Sequence, residues 1–367
     1  PKSARMILQN PTVDTGVFEV ARGGILREGL GFDRADVAVV TNITADHLGL
    51  GGIDTLRQLS DVKGVLVEAV PRTGTAVLNA DDPYVARLAG NCRGTVILFS
   101  MEQKKGEPGF DRVDGYTGRG GAAFVLKKTP EGDQIVLRHG PRTMPVLYTH
   151  LIPATFGGRA RMNVANALAA AAAAWAAGAH LHDIRQGLRT FTTSFFQAPG
   201  RLNYLEVGGV RVVIDYCHNV DGMRNLSDFA KRMTADGRAI GVIGMPGDRR
   251  DEDMRDYGAF AATAFDEIII REDRNLRGRQ PGVTAGHVAD GVRRAREDGS
   301  GRTTRVDKIL EEMAAVKTAL RRANPGDLVV MCVDDSVAVY KEAMASAGKR
   351  DGGIAFADPG ELDAPEG

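Results

Sequence analysis

Short β-branched runs alternate with helical stretches along most of this chain. Val37 to Val40, Ala76 to Leu78 and Val96 to Phe99 are apolar runs of strand length, and Asp54 to Val70 carries a helical pattern between the first two. A parallel crossover needs a dozen or more residues, usually as a helix, so this rhythm predicts a parallel sheet with helices on its faces. Upstream, Thr12 to Glu19 reads as an interior strand. From Met101 to about Thr155 helical signals vanish. There Gly118-Arg119-Gly120-Gly121, followed by Phe124-Val125-Leu126 and Gln134 to Leu137, predicts hairpins in a lid or side sheet. Helix resumes at Arg161, and the Ala-rich segment Asn166 to Gly178 predicts a buried helix packed closely on a sheet.

A second α/β series starts near Leu205. Its predicted strands are Val210 to Ile214, Ala239 to Ile243, Glu267 to Ile270 and Asp327 to Cys332, with segments such as Gly222 to Ala235 suited to helices. A domain boundary is therefore expected at Asn203 to Gly209. The tail from Lys349, rich in Gly, Asp and Pro, is expected to be poorly ordered.

Composition adds mostly exclusions. With 367 residues, 43% hydrophobic and 26% charged, the chain is long enough for two domains with two cores. Lys+Arg and Asp+Glu are both 47, so there is no net basic field to hold nucleic acid or an anionic membrane. The longest apolar run, Leu168 to Ala177, is too short to span a bilayer, and no signal segment opens the sequence, so the expected compartment is the cytoplasm. Cys92, Cys217 and Cys332 are widely spaced without a C-x-x-C, which suggests neither a disulfide framework nor a zinc site.

The first candidate chemistry is Thr41-Asn42-Ile43-Thr44-Ala45-Asp46-His47-Leu48-Gly49, directly after the strand Val37 to Val40. Polar groups just beyond the carboxyl end of a parallel strand face the crevice where ligands bind. Turn and N-cap roles for Asn42 and Asp46 explain the same residues, and the segment alone does not separate the two readings. Glu19 before Gly23-Gly24 offers a hard oxygen ligand suited to Mg²⁺. Lys63 follows on the next helix, where an exposed surface lysine is the ordinary explanation.

Together these features resemble the Mur ligase family. Its N-x-x-x-D-H signature matches Asn42, Asp46 and His47; its metal-binding Glu matches Glu19, and its carbamylated lysine matches Lys63. Leu78-Asn79-Ala80-Asp81-Asp82-Pro83 resembles the family's L-N-x-D-D segment, which a strand-ending turn also explains. Asn163 and Asn166 resemble the N-x-x-N-x-x-A-A helix whose second Asn reads adenine. Pro199-Gly200-Arg201 resembles the P-G-R whose Arg contacts phosphate. Ile214-Asp215-Tyr216-Cys217-His218-Asn219 resembles D-Y-A-H-N-P, in which Asp holds the ribose hydroxyls and His lies near the phosphates; Val220 stands where proline is usual. Gly244-Met245-Pro246-Gly247-Asp248-Arg249-Arg250 fits G-x-x-G-D-R.

The resemblance spans roughly residues 1 to 345 and implies an α/β fold in two parts. Residues 1–204 would be a Mur ligase central, P-loop-type parallel-sheet domain, truncated at its start, and residues 205–348 a Rossmann-like C-terminal domain, before a tail over 349–367. It implies ATP and Mg²⁺ as cofactors, with Glu19, His47 and Lys63 on the metal and Asn42, Asn166, Arg201, Asp215 and His218 on the nucleotide. Lys63, His47 and Arg201 would act in catalysis. Within the family, the wording of Glu19 to Leu30, Asp46-His47-Leu48-Gly49 and Asp273 to Arg279 resembles that of members building the aspartate–arginine polymer cyanophycin. That implies L-arginine and the polymer as partners, an acyl phosphate intermediate, and a homo-oligomer. Asp248, Arg249, Glu272, Asp273, Asp334 and Asp335 are then candidates for substrate binding.

No G-x-x-x-x-G-K-[ST] occurs in these residues. Together with a start at Pro1, that suggests a fragment lacking its P-loop strand and helix and a preceding ATP-grasp domain, inactive alone. The competing expectations are a ligase for a cell-wall precursor or a polyglutamate, and a non-catalytic nucleotide-binding or scaffold protein. A nicotinamide dehydrogenase is disfavoured, because no strand runs into G-x-G-x-x-G.

Overall fold

The computed structural model describes residues 2–46, 48–49, 51–234, 237–347 and 354–355. The chain forms two compact units: one from the residues up to Ile152 together with Met162–Thr190, the other from Pro153–Arg161 together with the chain from Phe191 onward.

The first unit contains α1 (Lys2–Leu8), α2 (Arg22–Glu28), β1 (Val37–Val40), α3 (Leu56–Glu68), β2 (Thr75–Asn79), α4 (Pro83–Ala86), β3 (Thr95–Ser100) and α5 (Pro108–Gly118). It continues through β4 (Ala122–Thr129), β5 (Gly132–His139), β6 (Arg142–Tyr148), α6 (Arg161–Ala176) and α7 (Leu181–Thr190). The six strands lie in sequence order, parallel from β1 to β4 and antiparallel from β4 to β6. The apolar runs that predicted strands fill the core: Ala76, Val77, Leu78, Ile97 and Phe99 are all at most 2% exposed. Helix α3 starts with a capping box in which Thr55 and Gln58 satisfy each other's backbone N–H groups. Helix α6 buries a face of small residues, and its Trp175 meets Phe124 of β4 edge to face.

Two expectations are corrected. Thr12 to Glu19 forms no strand: β1 pairs with β2 alone, Val17 is 93% exposed, and Glu19 lies on an exposed, irregular segment. Strand propensity is realised only beside a pairing partner, and none is supplied here among the described residues. The stretch from Met101 to Thr155 does contain a helix, α5, which Gly109, Gly115 and Gly118 concealed. Packing sustains it where propensity does not. Val113 is buried, the Glu102 carboxylate accepts the Gly109 and Phe110 N–H groups, and a side chain at Gly109 would overlap Asp81. The hairpins expected after it are β4 to β6.

The second unit contains β7 (Asn203–Val207), β8 (Val210–Asp215), α8 (Val220–Met233), β9 (Ala239–Ile243), α9 (Asp251–Ala262), β10 (Glu267–Ile270) and α10 (Val283–Glu297). It ends with β11 (Arg305–Lys308), α11 (Glu312–Arg322), β12 (Leu328–Cys332), α12 (Ser336–Ala347) and β13 (Ile354–Ala355). Its sheet runs β11-β10-β9-β12-β8-β7-β13, parallel from β11 to β8 and antiparallel through β7 and β13. Strands β9, β10 and β12 are buried throughout, as a doubly covered parallel sheet requires. The polar β11, Arg-Val-Asp-Lys, has no apolar run to announce it.

Helices α9 and α10 approach backbone to backbone. A Cβ on Gly258 would overlap the Val288 carbonyl oxygen, and one on Gly291 would overlap that of Arg255. Gly291→Ala is therefore expected to lower the stability of this unit by about 1–3 kcal/mol, the usual cost of overpacking, despite the ~1 kcal/mol helix preference for Ala over Gly. Urea unfolding checks this, and a midpoint at or above wild type would refute the close contact.

Candidate functional site

The loop after β1 is held by side chains from neighbouring elements. Asn79 Nδ2, at the end of β2, donates to the Thr41 carbonyl at 2.8 Å. Lys63 Nζ of α3 donates to the Asn42 carbonyl at 3.1 Å. The Ile43 N–H donates to Asp82 Oδ2 at 2.6 Å, while the Ile43 side chain is buried in the core. Burial lowers the Lys63 pKa, and the Asp46 and Asp82 carboxylates act against that shift. Lys63 is thus not the solvated surface lysine of the ordinary reading: it is half-buried and points at the loop that follows β1.

The residues after β2 serve as a junction. Asp81 accepts from Ser100 Oγ and from the Met101 N–H at 2.7 Å, tying in the exit of β3; burial pushes its carboxyl up against those bonds. Asp82 Oδ1 caps α4 by accepting from Tyr84 and Val85 at 2.8 and 3.1 Å. The strand-ending-turn account of this segment is correct as far as it goes, but the same residues also fix the loop after β1.

In the second unit, Pro199-Gly200-Arg201 and the exit of β8 form one built turn. Asn203 accepts the Gly200 N–H at 2.6 Å and donates to the Thr193 and Ala198 carbonyls, and the Tyr216 N–H donates to the Gly200 carbonyl. Leu202 adopts φ 47°, a left-handed conformation, with its N–H given to Asp215 Oδ2 at 2.9 Å. Asp215 Oδ1 accepts the Cys217 N–H at 2.8 Å. Burial raises the Asp215 pKa against these two N–H groups and the charges of Arg201 and His218. The exposed Arg201 guanidinium lies 5.5 Å from the Tyr216 ring centroid, and the His218 ring is 4.7 Å from that ring. His218 Nδ1 sits 3.1 Å from the Tyr216 carbonyl oxygen, which places a proton on that nitrogen. Arg201, Asp215 and His218 are therefore brought together. Asn219 caps α8 through Gly222, so Val220 in place of proline leaves the helix start intact.

Further along this unit, the loops after β9 and β10 are laced by arginines. Asp248 takes Arg249 at 3.0 Å and Arg277 at 3.1 Å, while Arg279 bonds the Gly247 and Arg249 carbonyls and Asp251. Glu272 is buried, with its two oxygens accepting from Gly282 and Ala285 at the start of α10. Asp273 pairs with the buried Arg271. Beside them a cavity of about 320 Å³ is lined by Arg274, Glu312, Asp334, Asp335, Ser336 and Val337. Glu312 accepts the N–H groups of Asp334 and Asp335, and Asp335 caps α12. Arg274 and Glu312 escaped the sequence reading; Arg274 stood inside a quoted motif, but nothing marked Glu312 apart from other helix carboxylates.

Of the residues expected on a metal, Lys63 is placed as described and Glu19 is exposed, while His47 lies outside the described residues. Among the described residues, no three His, Cys, Asp or Glu side chains are gathered for a metal. Asn42 is exposed and engaged through its carbonyl. Asn166 is exposed on α6, with its amide 3.3 Å from Asn163.

Two parallel-sheet units with built turns at the carboxyl ends of their strands agree with the comparisons. Residues 3–174 match the Mur ligase middle domain and residues 200–332 the Mur ligase glutamate ligase domain. The chain belongs to the Mur ligase family. Its sequence is 44% identical over 331 residues to the cyanophycin synthetase of Synechocystis sp. and 43% identical to that of Geminocystis herdmanii. In each case the match covers 90% of this chain and 36% of the relative, so the chain spans little more than a third of those proteins. The UDP-N-acetylmuramoyl-L-alanyl-D-glutamate--2,6-diaminopimelate ligase of Gloeobacter violaceus is 30% identical, over 86% of this chain and 57% of that one. E. coli FolC in complex with DHPP and ADP shares the fold with a TM-score of 0.59 at 19% identity, over 86% of this chain and 62% of that one. MurF from Acinetobacter baumannii shares it with a TM-score of 0.57 at 18% identity, over 86% and 60%. No helix among the described residues is long and apolar enough to cross a membrane.

Because Asp215 holds two backbone N–H groups, Asp215→Ala is expected to destabilise the second unit by about 2–6 kcal/mol, roughly 1–3 for each donor left without its acceptor. Arg201→Ala should cost under about 1 kcal/mol, the scale of an exposed cation–π contact. Chemical denaturation of the two variants checks the contrast, and equal losses would contradict it.

Proposed function

We propose that this chain carries the arginine-adding site of an ATP-dependent ligase that extends an aspartate–arginine polymer. The similarity to cyanophycin synthetases supports the polymer. The observation that carries the amino acid is the cavity in the second unit, lined by one guanidinium, Arg274, and by the Asp334 carboxylate, neither of which has an ion-pair partner among the described residues. That arrangement complements arginine: Arg274 pairs with its α-carboxylate, and Asp334 accepts its guanidinium N–H groups. Glu272, buried and committed to α10, Asp273, paired with Arg271, and Glu312, committed to Arg271 and to the Asp334 and Asp335 N–H groups, are set aside from this role.

In the proposed reaction the β-carboxylate of a polymer aspartate attacks the γ-phosphorus of ATP, giving an acyl phosphate and ADP. The neutral α-amine of arginine then attacks the acyl carbon, inorganic phosphate leaves, and the amine proton is released as the amide forms. Asn166 is assigned to the adenine edge, Asp215 to the ribose, and Arg201, His218 and Asn42 to the phosphates. Asp248 and Arg249 hold the loop after β9 for the polymer. Mg²⁺, held by Glu19, His47 and a carbamate on Lys63, would neutralise charge on the transferring phosphoryl oxygens. The donor chemistry at Lys63 fits that role. Burial favours its neutral amine, which adds to CO₂ with loss of a proton, turning a cation into an oxygen ligand. The carbamate keeps one N–H for the Asn42 carbonyl.

In the full-length protein, Asp334→Asn and Arg274→Ala should each raise the arginine KM about ten-fold to a hundred-fold, the equivalent of roughly 1.5–3 kcal/mol, with the ATP KM changed less than about two-fold. Arginine-dependent ADP release measures this. An unchanged arginine KM in both variants would remove the cavity from the reaction, and turnover with glutamate or diaminopimelate in place of arginine would replace the substrate. Lys63→Ala should abolish most turnover, with partial recovery on adding a short-chain carboxylate; full activity without it would overturn the carbamate.

A further inference from the structure

The Asn79-Ala80-Asp81-Asp82 segment at the exit of β2 has no part in the proposed reaction, yet it bonds the loop after β1, the exit of β3 and the start of α4. Asp82 explains why. A helix N-cap needs one side-chain oxygen, and a serine supplies that as well as an aspartate. Here Oδ1 alone meets both N–H groups of the α4 start, Tyr84 and Val85. The second oxygen, Oδ2, reaches 39 positions back along the chain to the Ile43 N–H at 2.6 Å. That contact is what serine could not make.

Ile43 is thereby pinned twice, by its buried side chain and by its N–H. The two preceding carbonyls are pinned by Asn79 and Lys63. Three consecutive backbone groups of one loop are therefore fixed by three side chains from α3 and the exit of β2.

We propose that Asp82 is a positioning residue for the loop Thr41–Asp46, and that its bond to the Ile43 N–H, distinct from its capping of α4, sets the geometry in which Lys63 and the loop meet phosphate. This rests on the ligase reading above. Asp82 touches no substrate; it acts through the loop backbone, and Asn79 supports it from the Thr41 side.

Three variants separate the two jobs of Asp82 in the full-length protein. Asp82→Ser keeps the cap and loses the Ile43 contact. Asp82→Asn keeps a cap acceptor but turns a donor toward the Ile43 N–H. Asp82→Ala loses both. Amide hydrogen exchange of the peptide covering residues 41–46 should rise at least ten-fold in all three, while the α4 peptide stays protected in Asp82→Ser and loosens in Asp82→Ala. With thermal midpoints of Asp82→Ser near wild type, kcat for arginine-dependent ADP release should fall at least ten-fold and the Mg²⁺ concentration for half activation should rise, with the arginine KM within about two-fold. Asp82→Ser with wild-type exchange at 41–46, or with wild-type kcat and Mg²⁺ dependence, overturns the proposal and leaves the ligase reading standing. Absence of any arginine- and ATP-dependent product from the wild-type full-length protein overturns the ligase reading, and the proposal with it.

Discussion

A parallel sheet delivers every strand end to the same edge, and that crowding governs the rest of this molecule. At the carboxyl edge the chain leaves the hydrogen-bonded ladder several times within a small area, and each departure releases backbone groups that need partners. Here the partners are mostly carboxylates. An ionised carboxylate is acceptor-only and has two oxygens, so a single side chain can join two N–H groups from separate segments.

The same device recurs in both units. Asp82 joins Ile43 to the start of α4, and Asp81 joins the exit of β2 to Ser100 and Met101. Asp215 joins Leu202 to Cys217, Glu272 joins Gly282 to Ala285, and Glu312 holds the N–H groups of Asp334 and Asp335. Each stands at a strand exit or faces one. Burial raises the pKa of Asp81 and Asp215 by holding their charge away from water; the Ser100 hydroxyl and Met101 N–H at Asp81, and the Leu202 and Cys217 N–H groups at Asp215, oppose that shift. Such a carboxylate stays available to a ligand only through the lone pairs its backbone partners leave, so the ribose role proposed for Asp215 would be superimposed on its structural one.

Legibility from sequence followed the physics of each element. Buried strands such as Ala239–Ile243 and Glu267–Ile270 were readable because a sheet covered on both faces demands unbroken apolar runs. Helix α5 was not, since its Gly109 serves close packing against Asp81, a contact between segments distant in sequence. Thr12 to Glu19 had strand composition without a neighbour to pair with, and composition cannot report that. Among the candidate residues, the order of motifs led to the half-buried Lys63 in the first unit and to the neighbouring Arg201, Asp215 and His218 in the second. The second bond of Asp82 and the acceptor role of Glu312 were invisible, because a carboxylate that staples backbone looks the same in sequence as one left in water.

The charge pattern of the second unit follows from the same reasoning. A surface rich in arginine and acidic residues would capture an aspartate–arginine polymer anywhere unless its own charges were already engaged. Arg277 and Asp248, Arg279 and Asp251, and Arg271 with Asp273 and Glu312 are paired within the fold. Arg274 and the Asp334 carboxylate have no ion-pair partner among the described residues, and both line the same cavity. On the proposed reading, internal pairing elsewhere would make that cavity selective: a ligand gains most where it completes a pair the protein leaves open, and least where it must first displace an existing one. Exposed pairs are each worth under about 1 kcal/mol, and Arg274 and Asp334 are themselves exposed, so on the proposed reading the contrast rests on one amino acid matching both open charges at once.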